Sequence, residues 1–337
     1  FIPSFNYRPG GSAQYGMAIS NFDEENPKRF NFGFIASSDN HRARPGTGYK
    51  EIDRFVTTEA NGPSSEFVAD TLYPKDEVKS ESIDLREGEL LGLRAGFGAF
   101  EAEREASFFS TGGLAAVHSS GRDRNSIWKG LQRKETYGTS GDRILLWFDL
   151  VSEDSVVPMG GNTETSNNPV FRAKAVGAFK QKEGCPDYSS TNISDQEIER
   201  ICKNECYNPS DERKIISRIE VIKVTPQTYE GENVDNLISD PWRVFACEPS
   251  QQGCEVEFSD EEFNSDARDA SYYVRAIQEP SPAVNAGNLR CTYDDEGNCV
   301  EVNICYGDNR TSRDDDCLVM SEERAWSSPI YLNYYNL

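Results

Sequence analysis

The chain has 337 residues, 36% of them hydrophobic, and a formal net charge of −22 at pH 7. This apolar content excludes wholesale disorder, and the acidic charge argues against nucleic acid or an anionic membrane as a partner. No apolar run approaches the roughly 20 residues that a membrane-spanning helix needs, so we expect no transmembrane segment.

Residues 1–140 alternate between helical and strand-like patterns. The predicted elements are a helix over 12–22, a strand over 29–37, a helix over 98–109, a strand over 112–119 and an amphipathic helix over 123–137. In the last of these, Ile127 and Leu131 are four residues apart and share one helix face. This alternation is typical of an α/β domain with a mainly parallel sheet.

Residues 141–337 have the pattern of an all-β domain. The predicted strands cover 144–151, 170–179, 215–224, 242–247, 271–278 and 327–332, and one helix over 194–206 interrupts them. Within 271–278, Val274 and Ala276 alternate with their neighbours in the manner of a half-exposed strand. We therefore expect an antiparallel β-sandwich, with the domain boundary between residues 140 and 141.

The nine cysteines all lie in the second half of the chain. Short loops between neighbouring cysteines predict three disulfides, Cys247 with Cys254, Cys291 with Cys299 and Cys305 with Cys317. Cys185 and Cys206 are further disulfide candidates, and the odd thiol is one of Cys185, Cys202 and Cys206 or pairs outside the chain. Disulfides indicate an oxidising compartment, so we expect a periplasmic or extracellular protein. Zinc is the less favoured use of these cysteines, because they include no Cys-x-x-Cys pair.

A carboxylate and an imidazole follow a short apolar stretch near the start of the chain. Residues 33–36 predict a buried strand, and Asp39 and His41 come shortly after it. Side chains two residues apart in an extended segment point to the same side, so both groups can face one point. A carboxylate oxygen with an imidazole nitrogen suits zinc, manganese or iron, and a polar turn is the alternative interpretation.

Two acidic clusters offer a second kind of cation site. Residues 294–296 and 314–316 each carry three consecutive acidic side chains, whose oxygens could bind calcium. Their spacing differs from that of a calcium-binding loop, so solvated turns are the alternative interpretation.

Four stretches, in order along the chain, carry a family resemblance. They are GFIASSDNHRARPGTGYKE (33–51), GGLAAVHSSGRDRNSIWKGLQRKETYGTSGDRILLWFDL (112–150), YYVRAIQEPSPAVNAGNLRC (272–291) and DDDCLVMSEERAWSSPIYL (314–332). They resemble an uncharacterised bacterial family of the polymerase and histidinol phosphatase (PHP) superfamily of metal-dependent phosphoesterases. The resemblance implies the C-terminal part of a distorted (β/α)7 barrel over 1–140, followed by a disulfide-bearing β-sandwich over 141–337. It also implies that Asp39 and His41 are ligands, because they match the superfamily's last metal motif, Asp-x-His.

The chain departs from the superfamily pattern at the other ligands. It lacks the His-x-Asp/His motif of the first strand and the further His and Glu ligands. We therefore expect an N-terminal segment or a second chain to complete the barrel. His118 matches a position where related sequences carry histidine or tryptophan, so we expect a core or second-shell role. Arg42 and Arg44 follow the ligands and could bind a phosphate or another anion, or simply lie in an exposed loop.

Two functions of different classes follow. The first is an exported metal-dependent hydrolase, a phosphoesterase that uses metal-activated water on a phosphate ester or another anionic substrate. Without the N-terminal ligands, this chain would be a processed or partial form of it. The second is a non-catalytic extracellular structural or surface-assembly protein that reuses the same fold. A homo-oligomer is compatible with both.

Overall fold

The computed structural model describes residues 11–23, 27–37, 50, 113–153, 155–284, 290–303, 305, 311–312 and 314–335. The helices in these residues are α1 (Ala13–Ala18), α2 (Arg124–Gln132), α3 (Ser189–Asn192), α4 (Asp195–Cys202) and α5 (Phe263–Asp266), with a 3-10 helix over Val234–Leu237. Side-chain caps start the two longest: Asp123 accepts hydrogen bonds from the first turn of α2, and Ser194 does so for α4. Among these residues, no helix is long and apolar enough to cross a membrane.

Twenty strands alternate with these helices in the described part of the chain. They are β1 (Ser20–Asn21), β2 (Lys28–Arg29), β3 (Leu114–Val117), β4 (Thr136–Thr139), β5 (Leu145–Val151), β6 (Val156–Pro158), β7 (Asn162–Thr165), β8 (Val170–Val176), β9 (Phe179–Gln181), β10 (Pro209–Arg213), β11 (Ile216–Val224), β12 (Ile238–Ala246), β13 (Cys254–Ser259), β14 (Ala270–Gln278), β15 (Ser281–Val284), β16 (Thr292–Tyr293), β17 (Cys299–Glu301), β18 (Leu318–Ser321), β19 (Arg324–Ser327) and β20 (Ile330–Tyr334).

Two sheets form the body of the described structure. The larger has eight strands in the order β12-β11-β14-β19-β4-β3, with β20 pairing with β14 and β7. The smaller has four strands in the order β13-β8-β5-β6. All neighbouring strands of both sheets are antiparallel except β20 and β7, which are parallel. The molecule is therefore strand-rich, with short helices at the ends and on one face of the larger sheet.

One hydrophobic core lies between the two sheets. Phe148, Phe171 and Phe258 of the smaller sheet stack on one another, and the Phe171 ring lies 4.7 Å from that of Tyr272 on β14. Alternate residues of β5 and β8 face this core while their neighbours face outward. Each fully buried large side chain contributes about 1.5–3 kcal/mol, so these aromatic residues hold the sheets together.

Strand β14 is covered on both faces, in contrast to the half-exposed strand predicted from its alternation. Val274 and Ala276 lie in the core between the sheets, whereas Tyr273 lies in a second cluster with Met17 and Ala18 of α1. The prediction was wrong because helix α1 packs on the outer face of the larger sheet. A local pattern carries no information about such a distant covering segment.

The strand predicted over 29–37 is also largely absent. Only Lys28–Arg29 pairs, with β1, and residues 30–37 have no regular strand pairing. Ile35, predicted to be buried, is 70% exposed. This segment is held by side-chain and glycine contacts rather than by a ladder of backbone hydrogen bonds.

Strands β3 and β4 pair antiparallel, although a helix connects them. The amide of His118 donates a 2.8 Å hydrogen bond to the carbonyl of Glu135, so the chain leaves and re-enters the sheet at the same end. Helix α2 therefore extends from the end of the sheet instead of crossing its face, and Ile127 and Leu131 remain partly exposed. The mainly parallel sheet predicted for residues 1–140 is not present in the described strands. Through β4 and β19, the larger sheet continues across the predicted boundary at 140/141.

Four disulfides cross-link the C-terminal half. They join Cys185 with Cys206, Cys247 with Cys254, Cys291 with Cys299 and Cys305 with Cys317, and they leave Cys202 free. The three short-loop links predicted from spacing are confirmed. Between Cys291 and Cys299, β16 and β17 form the expected hairpin, closed by Gly297 at φ +84°. Cross-links of this number are typical of proteins from an oxidising compartment.

Candidate functional site

The predicted ligands Asp39 and His41 and the predicted anion-binding residues Arg42 and Arg44 lie outside the described residues. The segment 31–37 that leads to them is described, and its backbone is held by two side chains near the C-terminus. The Tyr331 hydroxyl accepts a 3.0 Å hydrogen bond from the Phe32 amide and donates a 2.8 Å bond to the Phe32 carbonyl. The Phe34 amide donates a 2.8 Å bond to the Ser328 hydroxyl.

Glycines let the same segment lie directly on the sheet. A Cβ at Gly138 of β4 would lie 2.8 Å from the Cβ of Ala36, and a Cβ at Gly33 would lie 2.8 Å from the Cβ of Lys134. Both distances are shorter than real Cβ contacts, so only glycine permits this approach. The close approach that Gly33 and Gly138 permit, rather than strand pairing, determines the path of residues 31–37.

The end of the segment is placed beside the end of β4. A Cβ at Gly113 would lie 2.7 Å from the carbonyl oxygen of Thr139 and 3.3 Å from that of Ser37. Ser37 and Thr139 therefore both lie against Gly113, and Asp39 follows Ser37 by two residues in the sequence.

A buried polar network begins one residue after Thr139, at the end of β4. The Ser140 hydroxyl donates a hydrogen bond to the Glu323 carboxylate. Asp142 forms an ion pair with Lys214, with 2.7 Å between the carboxylate oxygen and Nζ. The side chain of Gln278, which is fully buried, donates to Asp142 and accepts a 2.7 Å hydrogen bond from the Ala178 amide. The network joins five separate strands or loops, so it fixes the end of β4 against its neighbours.

Burial raises the pKa of Glu323 above its ordinary value, and the negative charge of Asp142 raises it further. The hydrogen bond from Ser140 and the charges of Lys214 and Arg324 oppose this increase without cancelling it. Glu323 therefore holds a proton more readily in the folded chain than in the unfolded chain.

This shift predicts how Glu323→Gln changes the pH dependence of stability. Because the folded wild type prefers the protonated acid, it loses stability as the pH rises above the ordinary carboxyl pKa of about 4.3. The glutamine variant lacks this loss, so its stability relative to wild type should increase between about pH 4 and pH 8. Urea denaturation of both proteins across this range measures the difference. A difference that is constant with pH would contradict the expected effect.

His118 packs against aromatic rings in the described structure. Its Nε2 atom lies 2.8 Å from the Leu146 carbonyl oxygen, and its ring lies 5.6 Å from Tyr137 and 5.9 Å from Trp147. These contacts fix the end of β3 against β5, and the core role stays a prediction. The second-shell role stays a prediction.

The acidic clusters predicted to bind calcium have partners within the protein. Asp294 accepts hydrogen bonds from the amides of Glu296 and Asn298 and from the Asn298 side chain. Asp315 forms a two-point ion pair with Arg290 and accepts the Cys317 amide. Turn formation and ion pairing account for these carboxylates, and calcium binding at either cluster stays a prediction.

Lys50 is a site residue that the sequence did not suggest. Although charged, it is only 2% exposed, and its Nζ atom lies 2.6 Å from the Gly184 carbonyl and 2.5 Å from the Glu205 carboxylate. The contact joins residues more than 130 positions apart, so no local pattern could have indicated it. Lys50 fixes the chain nine residues after His41 against the loop that carries Cys185 and Cys206.

The comparisons with known proteins bear on the N-terminal half. A family model described as a protein of unknown function (DUF3604) matches residues 10–176. The matched region includes the predicted ligands and His118, and it ends with the last residue of β8. No curated protein sequence matches the chain, and no solved structure does. The DUF3604 similarity assigns no activity.

Proposed function

We propose that this chain belongs to an exported metal-dependent hydrolase of the PHP type, a phosphoesterase in which Asp39 and His41 bind a divalent cation. The observation that carries the proposal is the packing of residues 31–37 against β4, because this segment leads directly into the predicted ligands in the sequence. Further support comes from the four disulfides, which fit an exported protein.

The donor set fits a transition-metal ion. Asp39 offers a hard oxygen and His41 an imidazole nitrogen, the combination that zinc, manganese and iron accept. A bound divalent cation would lower the pKa of a water molecule and neutralise charge on a phosphoryl group. Asp39 and His41 would be two ligands of this cation, and further donors would complete its coordination.

The chain's own residues then have distinct tasks. Asp39 and His41 would hold the cation, and the guanidinium groups of Arg42 and Arg44 would orient a phosphate through paired hydrogen bonds. The buried network of Ser140, Asp142 and Glu323 would hold the end of β4, the strand on which residues 31–37 pack. Such rigid support matters because small displacements of reacting groups slow catalysis strongly.

Metal analysis of the purified chain tests the proposal directly. In a titration with Zn²⁺, Mn²⁺ or Fe²⁺, wild type should bind one of these ions, whereas Asp39→Ala and His41→Ala should bind it at least about tenfold more weakly. Asp187→Ala is the matched control, because Asp187 is exposed and lies far along the chain from the predicted ligands. Hydrolysis of p-nitrophenyl phosphate and its diester should fall in the same two variants. Wild-type metal affinity in both variants would refute the ligand assignment.

A non-catalytic extracellular structural protein is the second candidate. Its support is the combination of four disulfides with a strongly acidic chain, which suits a secreted scaffold as well as an enzyme. Wild-type protein that binds none of the three metal ions in the same titration would favour this candidate.

A further inference from the structure

The free cysteine is in contact with a disulfide. Cys202 is the one cysteine of nine that forms no disulfide, and its Sγ atom lies 3.2 Å from that of Cys206 and 3.9 Å from that of Cys185. All three cysteines are half-buried, and their sulfur atoms lie within 4.8 Å of one another. Four disulfides use eight of the nine cysteines, and Cys202 is the ninth. No free cysteine therefore remains to contact the other three disulfides.

The local fold brings the three sulfur atoms together. Helix α4 ends at Cys202, because Lys203 and Asn204 adopt left-handed conformations with φ of 51° and 62°. This reversal returns the chain on itself, and the Glu205 amide donates a 2.8 Å hydrogen bond to the Cys202 carbonyl. Cys206 therefore lies beside Cys202, at the end of the helix.

Contacts other than the disulfide also hold the two loops together. The Glu205 carboxylate accepts a 3.0 Å hydrogen bond from the Gly184 amide, and Lys50 bridges the same carboxylate and the Gly184 carbonyl. Gly184 precedes Cys185, and Glu205 precedes Cys206. Both disulfide partners thus stay near each other even when no covalent bond joins them.

We propose that Cys185, Cys202 and Cys206 form a thiol–disulfide exchange site in which Cys206 alternates between two partners. The Cys202 thiolate attacks the Sγ atom of Cys206, its nearest sulfur. The Cys202–Cys206 bond forms, the Cys185–Cys206 bond breaks, and Cys185 leaves as a thiolate that takes up a proton. One disulfide and one thiol are present before and after, so no external oxidant or reductant is consumed.

The structure favours exchange over metal binding by the same cysteines. Three thiolates would suit a soft cation, but here two of the three sulfurs are already bonded to each other. The consequence of exchange is a free thiol that appears either on α4 or in the loop after β9. This inference is independent of the proposed hydrolase function, since it involves neither Asp39 nor His41.

Disulfide mapping of the unreduced protein tests the exchange. Purified chain is held at about pH 8, where thiolates form, then alkylated with N-ethylmaleimide and digested with pepsin in acid, which stops further exchange. Mass spectrometry should find both 185–206 and 202–206 linked peptides. Alkylation of Cys185 should exceed its level in the Cys202→Ser variant by at least about tenfold. The Cys185→Ser variant should form the 202–206 bond, which shows that this bond fits the fold.

The other disulfides serve as internal controls. The links 247–254, 291–299 and 305–317 should each give a single linked peptide, because no free thiol contacts them. Wild-type alkylation confined to Cys202 would overturn the proposal. So would alkylation of all three cysteines in the unreduced protein, or two free thiols at Cys202 and Cys206 in the Cys185→Ser variant.

Discussion

Lys223→Met should lower the free energy of unfolding by about 3–5 kcal/mol, the cost of leaving one partner of a buried ion pair alone. The Lys223 Nζ atom lies 2.7 Å from Asp260, whose side chain is 1% exposed. Burial acts to raise the pKa of Asp260, but hydrogen bonds from Lys223 and Tyr272 hold it below its ordinary value. Methionine fills a similar volume without the charge, so the carboxylate would lose its cation inside the protein.

Two further variants isolate the effect of the unpaired charge. Lys174→Met removes a surface ion pair to Glu255, in which both side chains are about half exposed, and should cost less than about 1 kcal/mol. Adding Asp260→Asn to Lys223→Met removes both buried charges and should recover most of the lost stability. Urea denaturation measures all three. Equal losses for Lys223→Met and Lys174→Met would show that Lys223 is not effectively buried.

The strands of the C-terminal half could be predicted because their own residues determine them. The strands predicted over 144–151, 170–179 and 215–224 contain many β-branched and aromatic side chains, and they correspond to β5, β8 and β11, although β8 ends at Val176. Strand β7 could not be predicted in this way, since Asn162–Thr165 is polar and joins the sheet only through its parallel pairing with β20. The direction of a pairing is likewise a property of two distant segments, which explains the error at β3 and β4.

In the candidate site, too, features set by neighbouring residues could be predicted, whereas contacts between distant residues could not. Asp39 and His41 could be proposed because their spacing is itself the signal. The contact between Ser140 and Glu323 joins residues 183 positions apart, and no pattern around either residue predicts it. The disulfides divide similarly: the 7-, 8- and 12-residue separations identified three pairs, whereas spacing alone left the choice among Cys185, Cys202 and Cys206 open.

Residues 31–37 lead into the predicted metal ligands and pack on β4, and Gly138 is the tightest point of this contact in that strand. An added Cβ there would lie 2.8 Å from the Cβ and 3.1 Å from the amide nitrogen of Ala36. Since β4 is buried and paired on both sides, the segment with Ala36 must move instead. Asp39, three residues beyond Ala36, would move with it.

Gly138→Ala should therefore weaken metal binding at least about tenfold while the β-sheet signal in circular dichroism is kept, because it displaces the ligands without removing either one. Gly16→Ala is the matched control: its Cβ would meet the Phe32 ring at an ordinary 3.7 Å, and alanine favours the helix there by up to about 1 kcal/mol. Metal titration of both variants beside wild type makes the measurement. If Gly138→Ala binds metal as tightly as Gly16→Ala, the contact between Gly138 and Ala36 does not position the ligands. The ligand assignment itself would still stand if Asp39→Ala and His41→Ala weaken binding.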